Sequence, residues 1–363
     1  MYEQLETPAV IVDLNIAEAN IGRMAAALQT RGIHHRPHIK SHKSAYLARK
    51  QLEAGAVGIT VAKLSEAEAF VRAGLDDILV AYPIVGREKL SRFARLHGQA
   101  RMSATVDSVT VAAGLSGVGA TSGKPVDVLI EIDGGLHRGG RQPGQDALDF
   151  ARSIRDLPGL RIRGIMGYFG TIYRHADGPE LIEAVKHEAS TIRDTVELLR
   201  RDRFDIEIVS SGTSPAALMA EHLEGITEVR AGNYIFFDAS GIGLGLAEER
   251  DCALRVIATV VSVPLPGKAT IDAGTKTLTS DKAHHREGFG CVVGRPDIRI
   301  VGLNEEHGML QYDPEMEQLR VGDRIEIIPN HSCVVPNLVP VVTGVRNGQV
   351  VEAIPIDARG CNY

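Results

Sequence analysis

The stretch His34-His35-Arg36-Pro37-His38-Ile39-Lys40-Ser41-His42-Lys43-Ser44 holds four of the chain's 13 histidines and two of its lysines. Read as an extended segment, it puts Arg36, His38 and Lys40 on one face, because strand side chains repeat every two residues. Pro37 biases Arg36 toward that conformation. An inward face of Arg, His and Lys is not ordinary core, since lysine is almost never fully buried without a partner. A lysine at the end of such a strand is well placed to form a Schiff base with an aldehyde cofactor. The same residues also read as a basic surface loop that binds an anion. The remainder of the chain favours the first reading.

Around this stretch one unit repeats. Strand 34–40 is followed by a helix near 44–53, and strand 58–62 by a helix from Ser65. There Ser65 and Glu68 make a capping-box signature. Strand 77–82 precedes a helix near 86–97. Strand 101–106 leads, with Asp107 or Ser108 as cap, into a helix over 109–115. Strand 125–133 precedes a helix near 144–156, and strand 161–169 a long one near 179–202. Strand 205–210 leads into a short helix from about Ser214, and strand 227–234 is the last. Eight such units over about 200 residues predict a TIM (β/α)8 barrel rather than an open doubly wound sheet. No G-x-G-x-x-G follows the first strand, which argues against a dinucleotide fold. After about residue 245 helical periodicity gives way to short strands separated by turn signals such as Pro266-Gly267 and Asn347-Gly348. This predicts a C-terminal antiparallel β domain that also takes the N-terminal strand 7–13. The expected division is 14–244 for the barrel and 1–13 plus 245–363 for the β domain.

Composition narrows the function classes. A net charge of -6 with no block of like charges argues against nucleic acid as partner. No apolar run approaches the length needed to cross a membrane, and the first residues lack a signal-peptide pattern. The four cysteines are scattered without a C-x-x-C pair, as expected of free thiols in a reducing cytoplasm.

The C-terminal ends of barrel strands are where active sites form. Lys40 ends the first. After the seventh, Ser210-Ser211-Gly212-Thr213-Ser214-Pro215 offers backbone N–H groups and small hydroxyls, and after the eighth comes Gly232-Asn233-Tyr234. Loops after strands seven and eight commonly bind phosphate in such barrels, although a Ser/Thr/Gly turn alone is common. Asp133-Gly134-Gly135-Leu136-His137-Arg138 ends the fifth strand, where Arg138 reads either as a holder of a carboxylate or cofactor ring or as a solvated arginine. Tyr168 and Phe169 end the sixth and could flank a ring or plug the barrel mouth. His331-Ser332-Cys333, if extended, presents a nitrogen and a thiolate on one face, a pair able to ligate one divalent ion. His307, in a loop, reads as structural.

Arg36-Pro37-His38-Ile39-Lys40-Ser41-His42-Lys43 resembles the cofactor-lysine motif of the D-serine dehydratase and D-threonine aldolase family. These are fold-type III pyridoxal-phosphate enzymes with an alanine racemase-like barrel. The resemblance extends through Thr7-Pro8-Ala9, Ser211-Gly212-Thr213-Ser214-Pro215, Gly232-Asn233-Tyr234, Asp272-Ala273-Gly274-Thr275-Lys276, Glu305-Glu306-His307-Gly308 and Pro329-Asn330-His331-Ser332-Cys333. It implies that Lys40 carries pyridoxal 5'-phosphate. His38, Arg138, Tyr168, Ser211, Gly212, Thr213, Gly232, Asn233 and Tyr234 would complete the cofactor site. His331 and Cys333 would bind a divalent metal, zinc first, with manganese or magnesium as alternatives. A cytoplasmic homodimer and a small β-hydroxy-D-amino acid substrate are also implied. In the family, Cys rather than Asp at the position of Cys333 goes with dehydratases. The expected reaction is therefore elimination of the β-hydroxyl to a keto acid and ammonia. Retro-aldol cleavage of D-threonine or 3-hydroxy-D-aspartate type is the alternative, and a non-catalytic pyridoxal-phosphate-binding protein a remote one.

Overall fold

The computed structural model describes residues 2–363. It divides into two compact units. One takes residues up to Gly22, Ser41–Tyr46 and Asn233–Gly360; the other takes Arg23–Lys40, Leu47–Gly232 and Cys361–Tyr363. The chain opens with β1 (Ala9–Asp13) and α1 (Leu14–Gln29). Asp13 caps α1 as its position suggests, accepting from the N–H groups of Asn15 and Ile16 at 2.9 and 3.2 Å.

In the second unit strands and helices alternate as β2 (His34–His35), α2 (Ala45–Glu53), β3 (Ile59–Val61), α3 (Leu64–Arg72), β4 (Asp77–Val80), α4 (Arg87–His97), β5 (Arg101–Val106), α5 (Val109–Ser122), β6 (Val126–Asp133), α6 (Gln145–Ile154), β7 (Leu160–Tyr168), α7 (Pro179–Arg201), β8 (Ile208–Ser211), α8 (Ser214–Leu218) and β9 (Glu228–Val229). All eight strands pair in parallel, in the order β2-β9-β8-β7-β6-β5-β4-β3. A parallel bridge from His38 to Thr60 joins the two ends. This is the expected barrel. Its strands are apolar on both faces because helices cover the outside and neighbouring side chains fill the inside.

Three local differences have physical causes. Strand β2 covers two residues rather than 34–40, and Ile39–Ser41 form a single 3-10 turn. Pro37 has no N–H to give the ladder, and the next bond, from His38 N to Arg230 O, is 3.3 Å long. The capping box lies two residues earlier than expected, on Lys63 and Glu66. Glu66 Oε2 accepts from Ala62 N at 2.7 Å and Lys63 N at 3.2 Å, while Glu68 pairs with Arg92 at 2.8 Å. Helix α5 is twice the expected length, because its glycines hide the helical pattern. One of them, Gly119, admits the Gly159 carbonyl, which a Cβ would meet at 1.9 Å.

The basic inward face of the opening stretch is answered inside the barrel. Arg36 bonds Asp77 at 2.6 Å and Glu228 at 2.8 Å. Ser210 Oγ donates to Glu228 at 2.7 Å. Arg230 donates to Ser210 Oγ and to Gly167 O, each at 2.6 Å. Arg36 is thus an internal ion-pair partner, not an anion binder.

The first unit carries β10 (Leu254–Leu265), β11 (Lys268–Ile271), β12 (Cys291–Val292), β13 (Arg299–Leu303), β14 (Gly308–Gln311), β15 (Arg324–Ile328), β16 (Val341–Arg346) and β17 (Gln349–Pro355). The sheet order is β11-β14-β13-β12-β15-β10-β1-β16-β17, and a further pairing of β11 with β10 closes six strands into a small barrel. β1 enters this sheet as expected, antiparallel to β10 but parallel to β16, so the domain is not purely antiparallel. Three of the landmark motifs meet here. Asp272 accepts from Thr7 Oγ1 at 2.6 Å and from Thr259 N at 2.8 Å. Lys276 pairs with Glu306 at 2.7 Å and Glu305 at 3.3 Å. His307 is exposed in the loop that carries Glu305 and Glu306.

Candidate active site

Lys40 lies in the 3-10 turn that follows β2, exposed between fully buried Ile39 and Ser41. His38 Nδ1 faces the Lys40 N–H at 3.4 Å, so His38 helps shape the turn as well as lining it.

The loop after β8 is built around Gly212, whose φ of +87° favours glycine. A Cβ there would also meet Val229 at 2.6 Å. The Ser211 hydroxyl and the Gly212 N–H both donate to Glu188 Oε1, at 2.7 and 2.8 Å. Thr213 caps α8 through its Oγ1, which accepts from Ala216 N at 3.3 Å. The N–H groups of Thr213 and Ser214 have no acceptor among the described residues. Two consecutive unengaged donors beside small side chains suit a phosphate, and in that respect the chain fits a phosphorylated cofactor. Gly232 follows β9 closely, and Tyr234 is buried in a one-turn helix over Asn233–Ile235.

The loop after β6 is organised by Asp133. Its Oδ1 accepts from the N–H groups of Gly135 and His137, each at 3.0 Å. Its Oδ2 accepts from His137 Nδ1 at 2.6 Å and Gln142 Nε2 at 3.0 Å. Burial works against the charge, but these donors hold the carboxyl below its ordinary range. The loop so fixed sets the Arg138 guanidinium over the Tyr168 ring at 4.9 Å, within the range of a cation–π contact. Arg138 itself is exposed and able to meet an anion or a ring.

In the other unit His331 and Cys333 stand close enough for each charge to shift the other's ionisation. They do so across a turn at Ser332–Cys333 rather than in the extended backbone expected from sequence. Asp238 is the reason. It is buried, caps α9 (Ala239–Gly243) through Gly241 N, and accepts from Ser332 N at 2.9 Å and Ser332 Oγ at 3.3 Å. Asp238 Oδ2 also lies 3.6 Å from His331 Nδ1. Asn233 Nδ2 reaches Asp238 at 2.8 Å, Ser332 Oγ at 3.0 Å and Cys333 Sγ at 3.4 Å. Asn233 therefore serves the His-Ser-Cys turn. Ser41 Oγ, the residue after Lys40 in sequence, is 3.3 Å from Cys333 Sγ. The Cys333 charge raises the His331 imidazole to about 9. Burial opposes ionisation of Cys333, but His331 and the surrounding donors bring its thiol below the ordinary value. Imidazole and thiolate together form a donor pair for a zinc-like ion. No third His, Cys, Asp or Glu joins them as a ligand cluster among the described residues, so the remaining positions would fall to water or substrate.

Sequence reasoning missed Glu188, Asp238 and Arg230. Asp238 and Arg230 carry no local signal. Glu188 does: it stands on the buried stripe of α7 among Leu181, Val185, Ala189 and Ile192, where a carboxyl needs a reason.

Comparison with known proteins agrees with this geometry. Residues 12–240 match the family model "Alanine racemase, N-terminal domain" and residues 253–345 match "Putative serine dehydratase domain". The D-threo-3-hydroxyaspartate dehydratase of Delftia sp. is 36% identical over 348 residues, 91% of each chain. The D-threonine aldolase of Arthrobacter sp. is 32% identical over 361 residues, 98% of this chain and 93% of the relative. Among solved structures, the D-threonine aldolase from Filomicrobium marinum superposes with a TM-score of 0.91 at 31% identity, covering 99% of this chain and 97% of that one. Two alanine mutants of D-threo-3-hydroxyaspartate dehydratase, one of a histidine and one of a cysteine, superpose at 0.88, each 32% identical; they cover 97% of this chain and 95% and 97% of theirs. The cysteine mutant is in a metal-free form. The barrel and the family match define the class, an alanine racemase-like pyridoxal-phosphate enzyme. Within it, the chain belongs to the family of D-serine dehydratases and D-threonine aldolases and is a lyase.

Proposed function

We propose that this lyase acts on a β-hydroxy-D-amino acid and eliminates its β-hydroxyl, yielding a keto acid and ammonia. The observation that carries elimination is the His331–Cys333 pair, whose turn is held by Asp238 and Asn233. The same i, i+2 spacing separates the histidine and cysteine replaced in the dehydratase mutants, which supports a metal at this pair. When bound, pyridoxal phosphate supplies an electron sink at the α-carbon and the metal a Lewis acid for the β-oxygen.

The chain's own residues divide the remaining work. Lys40 Nζ would hold the cofactor and, once the substrate's amine has displaced it, be free as the base that takes up the α-proton. The Thr213 and Ser214 N–H groups hold the phosphate, with Ser211, Gly212, Gly232 and Tyr234 shaping its surroundings. Arg138, steadied on Tyr168, meets the ring or the substrate carboxylate. His38 braces the lysine turn. Cys333 and His331 hold the metal, and Asn233 holds Cys333. The reading is tested by substitution. Lys40→Ala should lose the absorbance of the lysine-linked cofactor; wild-type colour in that variant would refute the assignment. His331→Ala and Cys333→Ala should keep the colour, lose bound metal, and lose about a hundredfold or more in turnover; full activity would refute the metal pair.

The likeness to D-threonine aldolases across nearly the whole chain supports a second reading, retro-aldol cleavage to glycine and an aldehyde by the same residues. We further read the chain as a homodimer, as the family resemblance implies, which sedimentation at working concentration checks. The four free cysteines support a reducing, cytoplasmic setting.

A further inference from the structure

Glu188 is fully buried on α7, and neither the family resemblance nor the candidate set includes it. Its Oε1 receives both the Ser211 hydroxyl and the Gly212 N–H, while its Oε2 has no hydrogen-bond partner. The turn it grips is the one whose next two N–H groups, Thr213 and Ser214, are unengaged. A buried carboxyl is a costly way to close a turn unless the turn must hold one shape.

We infer that Glu188 is the positioning residue of the phosphate turn: by drawing Ser211 and Gly212 backward, it directs the Thr213 and Ser214 N–H groups toward the cofactor's phosphate. This rests on the cofactor reading above. Three features then fix one peptide: a φ of +87° at Gly212, the Val229 side chain occupying the space a Cβ would need there, and the Glu188 oxygen on its N–H. Burial pushes the Glu188 carboxyl up, so a neutral acid can fill the role. An amide of the same length can too, since only one acceptor oxygen is used. A shorter carboxylate cannot reach.

The test titrates full-length apoprotein with pyridoxal phosphate and, separately, with pyridoxal, which lacks the phosphate. The readout is visible absorbance, and the quantity compared is the ratio of the two affinities. Wild type should favour the phosphorylated form. Glu188→Ala should lose about tenfold or more of that preference with pyridoxal affinity within about twofold of wild type. Glu188→Gln should restore it to within about threefold. Should the alanine variant not fold, Glu188→Asp carries the same expectation, since it keeps the polarity and withdraws the acceptor by one methylene. A Glu188→Asp ratio equal to wild type would overturn the inference. So would equal losses for both ligands, which would mark a merely structural residue. A wild type that binds pyridoxal phosphate no better than pyridoxal would sink the phosphate turn itself, whatever Glu188 does.

Discussion

His35 shows what burial does to one side chain. It is buried beside β9, its Nε2 3.0 Å from Ala231 O. Burial lowers its pKa from 6.5 to about 4, against smaller raising effects of the Ala231 bond and Glu228. In the unfolded chain the imidazole takes a proton near 6.5, whereas in the folded chain it stays neutral down to about 4. Between those values the unfolded state binds more protons, so this residue's contribution to stability is full above 6.5 and falls as pH falls. The loss totals about 3 kcal/mol, with about 2 kcal/mol gone by pH 5. His35→Gln should flatten that part of the pH profile. Urea midpoints at pH 7.5 and 5 for both proteins check it, and parallel profiles would contradict it. At the same scale, Asp238→Asn should leave the Lys40 chemistry intact but loosen the His-Ser-Cys turn. A tenfold to hundredfold loss of metal affinity is the expected order, read by metal competition; unchanged affinity would remove Asp238 from the account.

At the scale of elements, the barrel is read from its strands and held by a charged interior that its strands hide. The βα alternation was legible because apolar runs of strand length alternate with amphipathic segments, as in the long helix α7. Strand β5 was bounded to the residue, since its flanks, Ala100 and Asp107, change character sharply. Strand β2 was not, because Pro37 ends the ladder while the alternation of polar residues continues past it. The capping box at α3 was misplaced because Ser65 offers a better cap by type than Lys63, and only the fold shows Glu66 turned back to Ala62 and Lys63. The ion pairs tying Arg36 to Asp77 and Glu228 link residues 41 and 192 positions apart, so no local pattern announces them. Arg36→Met should leave the buried Glu228 without its ion-pair partner, while the half-buried Asp77 keeps Arg101 at 3.2 Å, and cost about 3 kcal/mol. Denaturant unfolding measures it; a change below about 1 kcal/mol would mean the interior is wet enough to screen the pair.

For the whole molecule, the landmark motifs lie from 30 to 265 positions apart in sequence, yet several converge. Thr7 reaches Asp272, Lys276 reaches Glu305 and Glu306, and Asn233 reaches Cys333. Lys40, Arg138, Thr213, His331 and Cys333 stand out in the sequence as candidates because reactive residue types sit at strand ends and turns. The residues that hold them in place do not, because positioning is a property of the folded chain. Chelation of the protein should leave the cofactor's colour unchanged while turnover ceases, and added zinc or manganese should restore it; undiminished turnover without metal would contradict a Lewis-acid step.

The most direct test is product analysis on the metal-replete protein with D-serine, D-threonine and both D-3-hydroxyaspartates. The account predicts keto acid and ammonia in equal amounts, with no glycine. Glycine together with an aldehyde would contradict elimination and place the chain with the aldolases.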